Sequence, residues 1–133
     1  MNEATLLLRH IKNPIFVQAG MVISSVWMPR KQDNGFLSVY DGSKIGPEES
    51  AIHQKEVFKS PSVAVSAVTC GECKKLGPQN TWDLSVIEAP LENCSEHVHI
   101  DFNGLPSKSA YRVAAEALRD RANSRGLLWE NKQ

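Results

Sequence analysis

Apolar and polar positions alternate most strictly over residues 97–102, HVHIDF, where Val98, Ile100 and Phe102 fall on one side and His97, His99 and Asp101 on the other. A period of two is the signature of a strand with one covered face and one open face. Comparable runs predict strands over 6–11 (LLLRHI, ended by Asn13-Pro14), 21–28 (MVISSVWM), 36–40, 62–68 (SVAVSAV) and 81–89 (TWDLSVIEA). In the last of these, Trp82, Leu84 and Val86 share a side. Asp33-Asn34-Gly35 tolerates positive φ, so it predicts a hairpin turn that makes 21–28 and 36–40 antiparallel neighbours. Pro29 limits how far that pairing runs, because it lacks an N–H.

Two segments change period. Pro47 suits the first turn of a helix, and Glu48 and Glu49 suit its positive end, so a short helix is expected over 47–58, stopped by Ser60-Pro61. The segment SKSAYRVAAEALRDRANSRG places Ala110, Val113, Ala114, Ala117 and Leu118 at helical spacing. Ser107 or Ser109 caps its start and Gly126 follows its last turn, which predicts a helix over about 107–125. Arg112–Glu116 and Glu116–Arg119 are supporting i,i+4 and i,i+3 pairs. The face carrying Val113, Ala114, Ala117 and Leu118 is expected to dock on the sheet. The order β-β-β-α-β-β-β-α predicts an α+β fold. Its mostly antiparallel sheet of about five to six strands carries a short middle helix and a longer C-terminal one. One domain is expected over 1–133.

Composition narrows the function classes. The chain has 133 residues, 41% of them apolar and 23% charged, which is globular usage. Fifteen basic residues balance fifteen acidic ones, so nothing in the net charge favours nucleic acid or an anionic membrane. Lys108, Arg112, Arg119, Arg121 and Arg125 on the last helix are interrupted by Glu116 and Asp120 and read as a solvated face. The N-terminus lacks the basic start and apolar run of a secretory signal, and no stretch approaches the about 20 apolar residues of a membrane span. Three cysteines would leave one unpaired in a disulfide framework. The expected setting is therefore intracellular and cytoplasmic.

Candidate chemistry concentrates between Thr69 and Phe102. Cys70-x2-Cys73 and Cys94-x2-His97 are two knuckle-like pairs separated by twenty residues. Soft thiolate and imidazole donors in tight turns can close a tetrahedral structural Zn2+ shell, and Gly71 eases the first turn. The plain alternative is that Cys70 and Cys73 pack as small apolar residues beside a turn. A second constellation, His97, His99 and Asp101 on one strand face, offers the donors of an open hydrolytic metal site, with Glu72 or Glu96 as base. The same alternation describes a strand whose outer face is simply wet.

No GxxxxGK[ST], GxGxxG or GxSxG motif is present. Arg9-His10 with Ser24-Ser25 lacks the downstream Glu-x-Glu that ADP-ribosyltransferase chemistry would require. Catalytic residues stay unknown at this level. The expected function is a small binding or accessory domain, with Cys70, Cys73, Cys94 and His97 as candidate ligands of a structural zinc. Its expected partner is a protein or a small molecule. The alternative is a metal-dependent hydrolase built on His97, His99 and Asp101.

Overall fold

The computed structural model describes residues 1–132. Eight strands run in the order β1 (Leu6–Ile11), β2 (Val17–Gln18), β3 (Met21–Val22), β4 (Phe36–Asp41), β5 (Ala64–Thr69), β6 (Ser85–Glu88), β7 (His97–Asp101) and β8 (Trp129–Glu130). Helix α1 (Pro47–Val57) follows β4, the single turn α2 (Cys70–Cys73) follows β5, and α3 (Lys108–Arg125) follows β7. Six strands form one antiparallel sheet in the order β6-β7-β4-β1-β5-β8, and β2 pairs with β3 as a separate hairpin. The α+β architecture read from the sequence is the one observed.

Each sheet face has its own core. Leu7, Ile11, Leu37, Val39, Ala64, Val68, Val98 and Ile100 share one cluster with Ala114, Ala115, Leu118 and Ala122 of α3. Phe102 and Trp27, both without solvent exposure, complete it. On the opposite face Leu8, Tyr40, Val65 and Ala67 pack with Ala51 of α1 and with Cys94. Strand β5 is covered on both sides, which is why Ala64 to Val68 are all buried. Burying each large apolar side chain contributes about 1.5–3 kcal/mol. The α1 side covers only part of its face, and what it leaves open carries His97, His99 and Asp101 together with Phe36 and exposed Ile87.

The helices begin where their chemistry predicts. Ser107 Oγ accepts from Ala110 N at 3.1 Å to cap α3, and Pro47 opens α1 with Glu49 accepting from Gly46 N at 3.0 Å. The docked stripe of α3 is Ala110, Ala114, Ala115, Leu118 and Ala122. Val113, expected inside, is 43% exposed. A stripe of alanines lets the helix approach the sheet closely, and the β-branched valine is rotated to the rim.

The run 21–28 is not one strand. Ala19 and Gly20, both at positive φ, turn β2 back on β3, and Ser24–Trp27 then winds into a 3-10 turn. Val22, Val26 and Trp27 are buried while Met21 and Ser25 are exposed, a spacing that fits a wrapped plug and not an alternating strand. Asn123 of α3 fixes the hairpin, accepting from Val22 N and donating to Val22 O at 2.9 and 3.0 Å. The expected pairing of this run with 36–40 therefore does not form. Instead β4 lies between β1 and β7. Asn34 and Gly35 do take positive φ, but they join a 3-10 turn to β4 and close no hairpin. The strand expected over 81–89 is confined to β6, with Trp82 bridged to Leu76 outside it.

Candidate functional site

Strand β1 is laddered to β5 from Leu6 to Ile11, but its ladder with β4 stops after Leu7↔Asp41 and Leu8↔Tyr40. Beyond Leu8 the two strands part, although β4 continues its ladder with β7 down to Phe36↔Asp101. Backbone carbonyls left without a ladder partner need donors, and here a side chain supplies them. Arg9 Nε donates to Val26 O at 2.8 Å and Nη1 donates to Ser38 O at 2.9 Å. Its three further guanidinium N–H bonds have no acceptor among the described residues. Among the described residues no carboxylate lies within ion-pair distance of Arg9. Burial is the main cause that lowers its pKa, to about 10.

The opening is lined on both sides of the sheet. A cleft of about 390 Å³ on the α1 side has Arg9, His10, Lys12, Tyr40, Phe58 and His97 among its walls. A second cavity of about 440 Å³, toward Val26 and Arg30, shares Arg9, His10, Lys12 and Ser38 with it. Exposed Lys12 makes no ion pair among the described residues, and its pKa is lowered by burial of its stem and then by Arg9 and Arg30. His10 meets Tyr40 edge to face at 4.8 Å between ring centroids. Its Nε2 lies 2.8 Å from Ser50 Oγ, whose own proton goes to Pro47 O at 2.7 Å. Ser50 must therefore accept, so His10 is protonated at Nε2 and keeps a lone pair at Nδ1. Burial, then Arg9, Lys12 and His53, push the His10 pKa down to about 3, so the ring is neutral at physiological pH.

Tyr40 connects this cleft to α1. Its hydroxyl donates to Gln54 Oε1 at 2.8 Å and also lies 2.8 Å from His53 Nδ1. His53 Nε2 lies 3.0 Å from Asn93 O, a carbonyl that can only accept. Burial, then the neighbouring Cys94, raise the Tyr40 pKa above the usual phenol value. Cys94 is buried, its thiol 3.8 Å from Glu96 Oε2, and its pKa is raised by burial and then by the Glu96 charge. Among the described residues, His53, Cys94 and Glu96 are the metal-ligating side chains that converge, with donor atoms within 4.8 Å of one another.

The expected four-ligand zinc set is not assembled. Cys70 and Cys73 sit on α2 in the α3-side core, whereas Cys94 packs with Tyr40 and Ala51 on the other face. The sheet lies between them. Burial raises the pKa of both Cys70 and Cys73, which makes them inert apolar packing groups. All three thiols are free. His97 Nδ1 donates to Ala89 O at 2.8 Å, and its ring faces the cleft wall and not the distant pair.

His97, His99 and Asp101 do share the open face, with Val98, Ile100 and Phe102 buried behind them. Each has a local partner. His99 stacks on Phe36 at 4.9 Å and meets His97 edge to face at 4.8 Å. Asp101 Oδ1 accepts from the backbone and side-chain amides of Asn103 at 2.8 and 2.9 Å. The expected base Glu72 is held on the far side, accepting from Arg125 at 3.1 Å and from Thr69 N at 2.8 Å. Burial, then the neighbouring His97 ring, lower the His99 pKa. These three side chains do not form a converging donor set with either glutamate.

Sequence reasoning registered Arg9, His10 and Tyr40 but missed Lys12 and His53, and Tyr40, expected exposed at the start of the 38–46 loop, is instead buried at the end of β4. The basic residues flanking a histidine in LLLRHIK were a visible signal. His53 gave none, because it sits on a helix some forty residues from Cys94. No family model matches the chain, and neither a curated protein nor a solved structure is significantly similar to it.

Proposed function

We propose that the protein is a binding module for a small organic anion, held in the opening between β1 and β4. The observation that carries this reading is the guanidinium of Arg9, inserted where the strands part, hydrogen-bonded to two backbone carbonyls and in no ion pair among the described residues, while Asp33 on the neighbouring wall is already paired with Arg30. Such a group has unsatisfied donors arranged in the fork that suits a carboxylate or phosphate. Lys12 adds a second cation at the rim, and neutral His10 supplies hydrogen bonding without adding charge. Phe58 and Leu91 give the cleft an apolar wall. The preferred ligand accordingly has an anionic head and a compact apolar or aromatic body. The volume falls in the usual range for small-molecule pockets, about 300–1,000 Å³.

The test is an amide NMR titration with a panel of aryl carboxylates and aryl phosphate monoesters. Binding should shift the amides of His10, Ser38, Tyr40 and His97 and weaken as salt is raised. Lys12→Gln, which breaks no hydrogen bond of the fold, should weaken it by about three- to tenfold, corresponding to roughly 0.7–1.4 kcal/mol for a partly exposed charge. Shifts scattered over the surface, or equal affinity in Lys12→Gln, would remove the basis for this reading.

A further inference from the structure

We propose that His53 Nδ1, Cys94 Sγ and a carboxylate oxygen of Glu96 form a binding site for Zn2+. The first argument is convergence. The three donors come from α1 and from the loop between β6 and β7, and already lie within 4.8 Å of one another. Zinc bonds of about 2.0–2.3 Å need donors about 3.4–3.8 Å apart, a contraction within reach of side-chain rotation. One thiolate and one carboxylate neutralise the ion, and a neutral imidazole completes three protein ligands. That leaves a fourth position for water or an exogenous group.

The second argument is independent and concerns protons. His53 Nε2 must donate, because its partner is the Asn93 carbonyl. A ring nitrogen that donates to a backbone carbonyl is the usual outer support of a metal-binding histidine, since it fixes the tautomer and aims the other lone pair at the ion. That lone pair is on Nδ1. In the protein alone Nδ1 competes with Gln54 Oε1 for the single proton of Tyr40, both at 2.8 Å. One acceptor of the two goes without. A cation on Nδ1 ends the competition and leaves Tyr40 to donate to Gln54. The buried thiol of Cys94 stands next to the same hydroxyl, and on binding it would form an S–Zn bond and release its proton to solvent.

The site differs from a paired-cysteine knuckle, and that difference makes it testable. Chelator-treated protein is titrated with Zn2+ by calorimetry and, separately, with Co2+ followed by absorption. Wild type should bind one equivalent of zinc and show the near-ultraviolet band of a cobalt–thiolate bond. Cys94→Ser should lose that band, and His53→Ala should weaken zinc binding by at least about tenfold. Cys70→Ala and Cys73→Ala should leave both readouts unchanged. Glu96→Gln, whose side chain is outside the core, provides a loss-of-ligand variant should Cys94→Ser fail to fold. Zinc binding no tighter in wild type than in Glu96→Gln, or a cobalt–thiolate band that survives Cys94→Ser but vanishes in Cys73→Ala, would overturn the assignment.

Discussion

Substituting His10 by glutamine separates its hydrogen bond from its proton. Glutamine can still donate from a side-chain nitrogen to Ser50 Oγ, but it cannot titrate. In the folded protein His10 has its pKa lowered from 6.5 to about 3, by burial first and then by Arg9, Lys12 and His53. The unfolded chain therefore binds a proton near pH 6.5 that the folded chain refuses until about pH 3. Stability from this group is complete above pH 6.5 and falls as pH drops through the window between the two values, at up to about 1.4 kcal/mol per pH unit. Between pH 7.5 and pH 4.5 a fully shielded ring would lose roughly 2.7 kcal/mol by that arithmetic. His10 is only partly buried and lines an open cleft, so solvent screening brings the expected loss to about 1–2 kcal/mol. Carboxylates add their own acid sensitivity, and it is common to both proteins. The measurement is therefore a difference: urea unfolding of wild type and His10→Gln at four pH values across this window. The gap between the two stabilities should change by about 1–2 kcal/mol, wild type losing more as pH falls. Parallel curves would show that His10 is not held neutral by burial and its cationic neighbours, and the account of the cleft as a site that disfavours added positive charge would fail with it.

Two further outcomes test the fold that holds these groups. Leu118→Ala removes a side chain with no solvent exposure from the α3–sheet contact and should cost about 2–5 kcal/mol in urea unfolding, whereas exposed Arg112→Ala should stay within about 0.5 kcal/mol. Equal losses would mean that α3 is not docked as described. Gly77→Ala should cost at least about 2 kcal/mol, because its φ is +74° and an added Cβ would fall about 2.3 Å from the Trp82 ring. Gly104→Ala, with open space around it, serves as the neutral control.

The elements that were legible in the sequence are those whose burial follows one period. HVHIDF alternates because Val98, Ile100 and Phe102 enter the core on the α3 side while the other side of β7 faces the open half of the sheet, so composition and geometry agree residue by residue. Helices α1 and α3 were legible from their ends, where Pro47 and Ser107 satisfy needs that only a helix start creates. MVISSVWM was misread because its β-branched content satisfies two structures equally well. What decides between them is Trp27, which must reach the core through a 3-10 turn, and the Ala19-Gly20 turn, which uses up Met21 and Val22 in a two-residue ladder. Neither constraint has a period. Val113 fails for a related reason: helical spacing fixes which residues share a side, but the alanines at 110, 114, 115 and 122 decide how far the helix is rotated on the sheet.

The cysteine spacing misled for a topological reason. Cys-x2-Cys and Cys-x2-His suggest two turns facing one ion, and sequence distance alone permits it. In the fold, β5 delivers Cys70 and Cys73 to the α3 side, while the chain that leaves β6 crosses to the α1 side before Cys94. An intervening sheet separates pairs that the sequence places twenty residues apart. The same crossing creates what the sequence could not show, since it carries Cys94 and Glu96 to the helix that bears His53. The opening beside β1 has a similar origin. Strand β1 follows β5 to its end while β4 follows β7, and the two central strands diverge from their shared pair at Leu8↔Tyr40. Arg9, His10 and Tyr40 lie at that divergence. The sequence marks these residues without showing what brings them together, and each acquires its chemical role where the neighbouring strands part company.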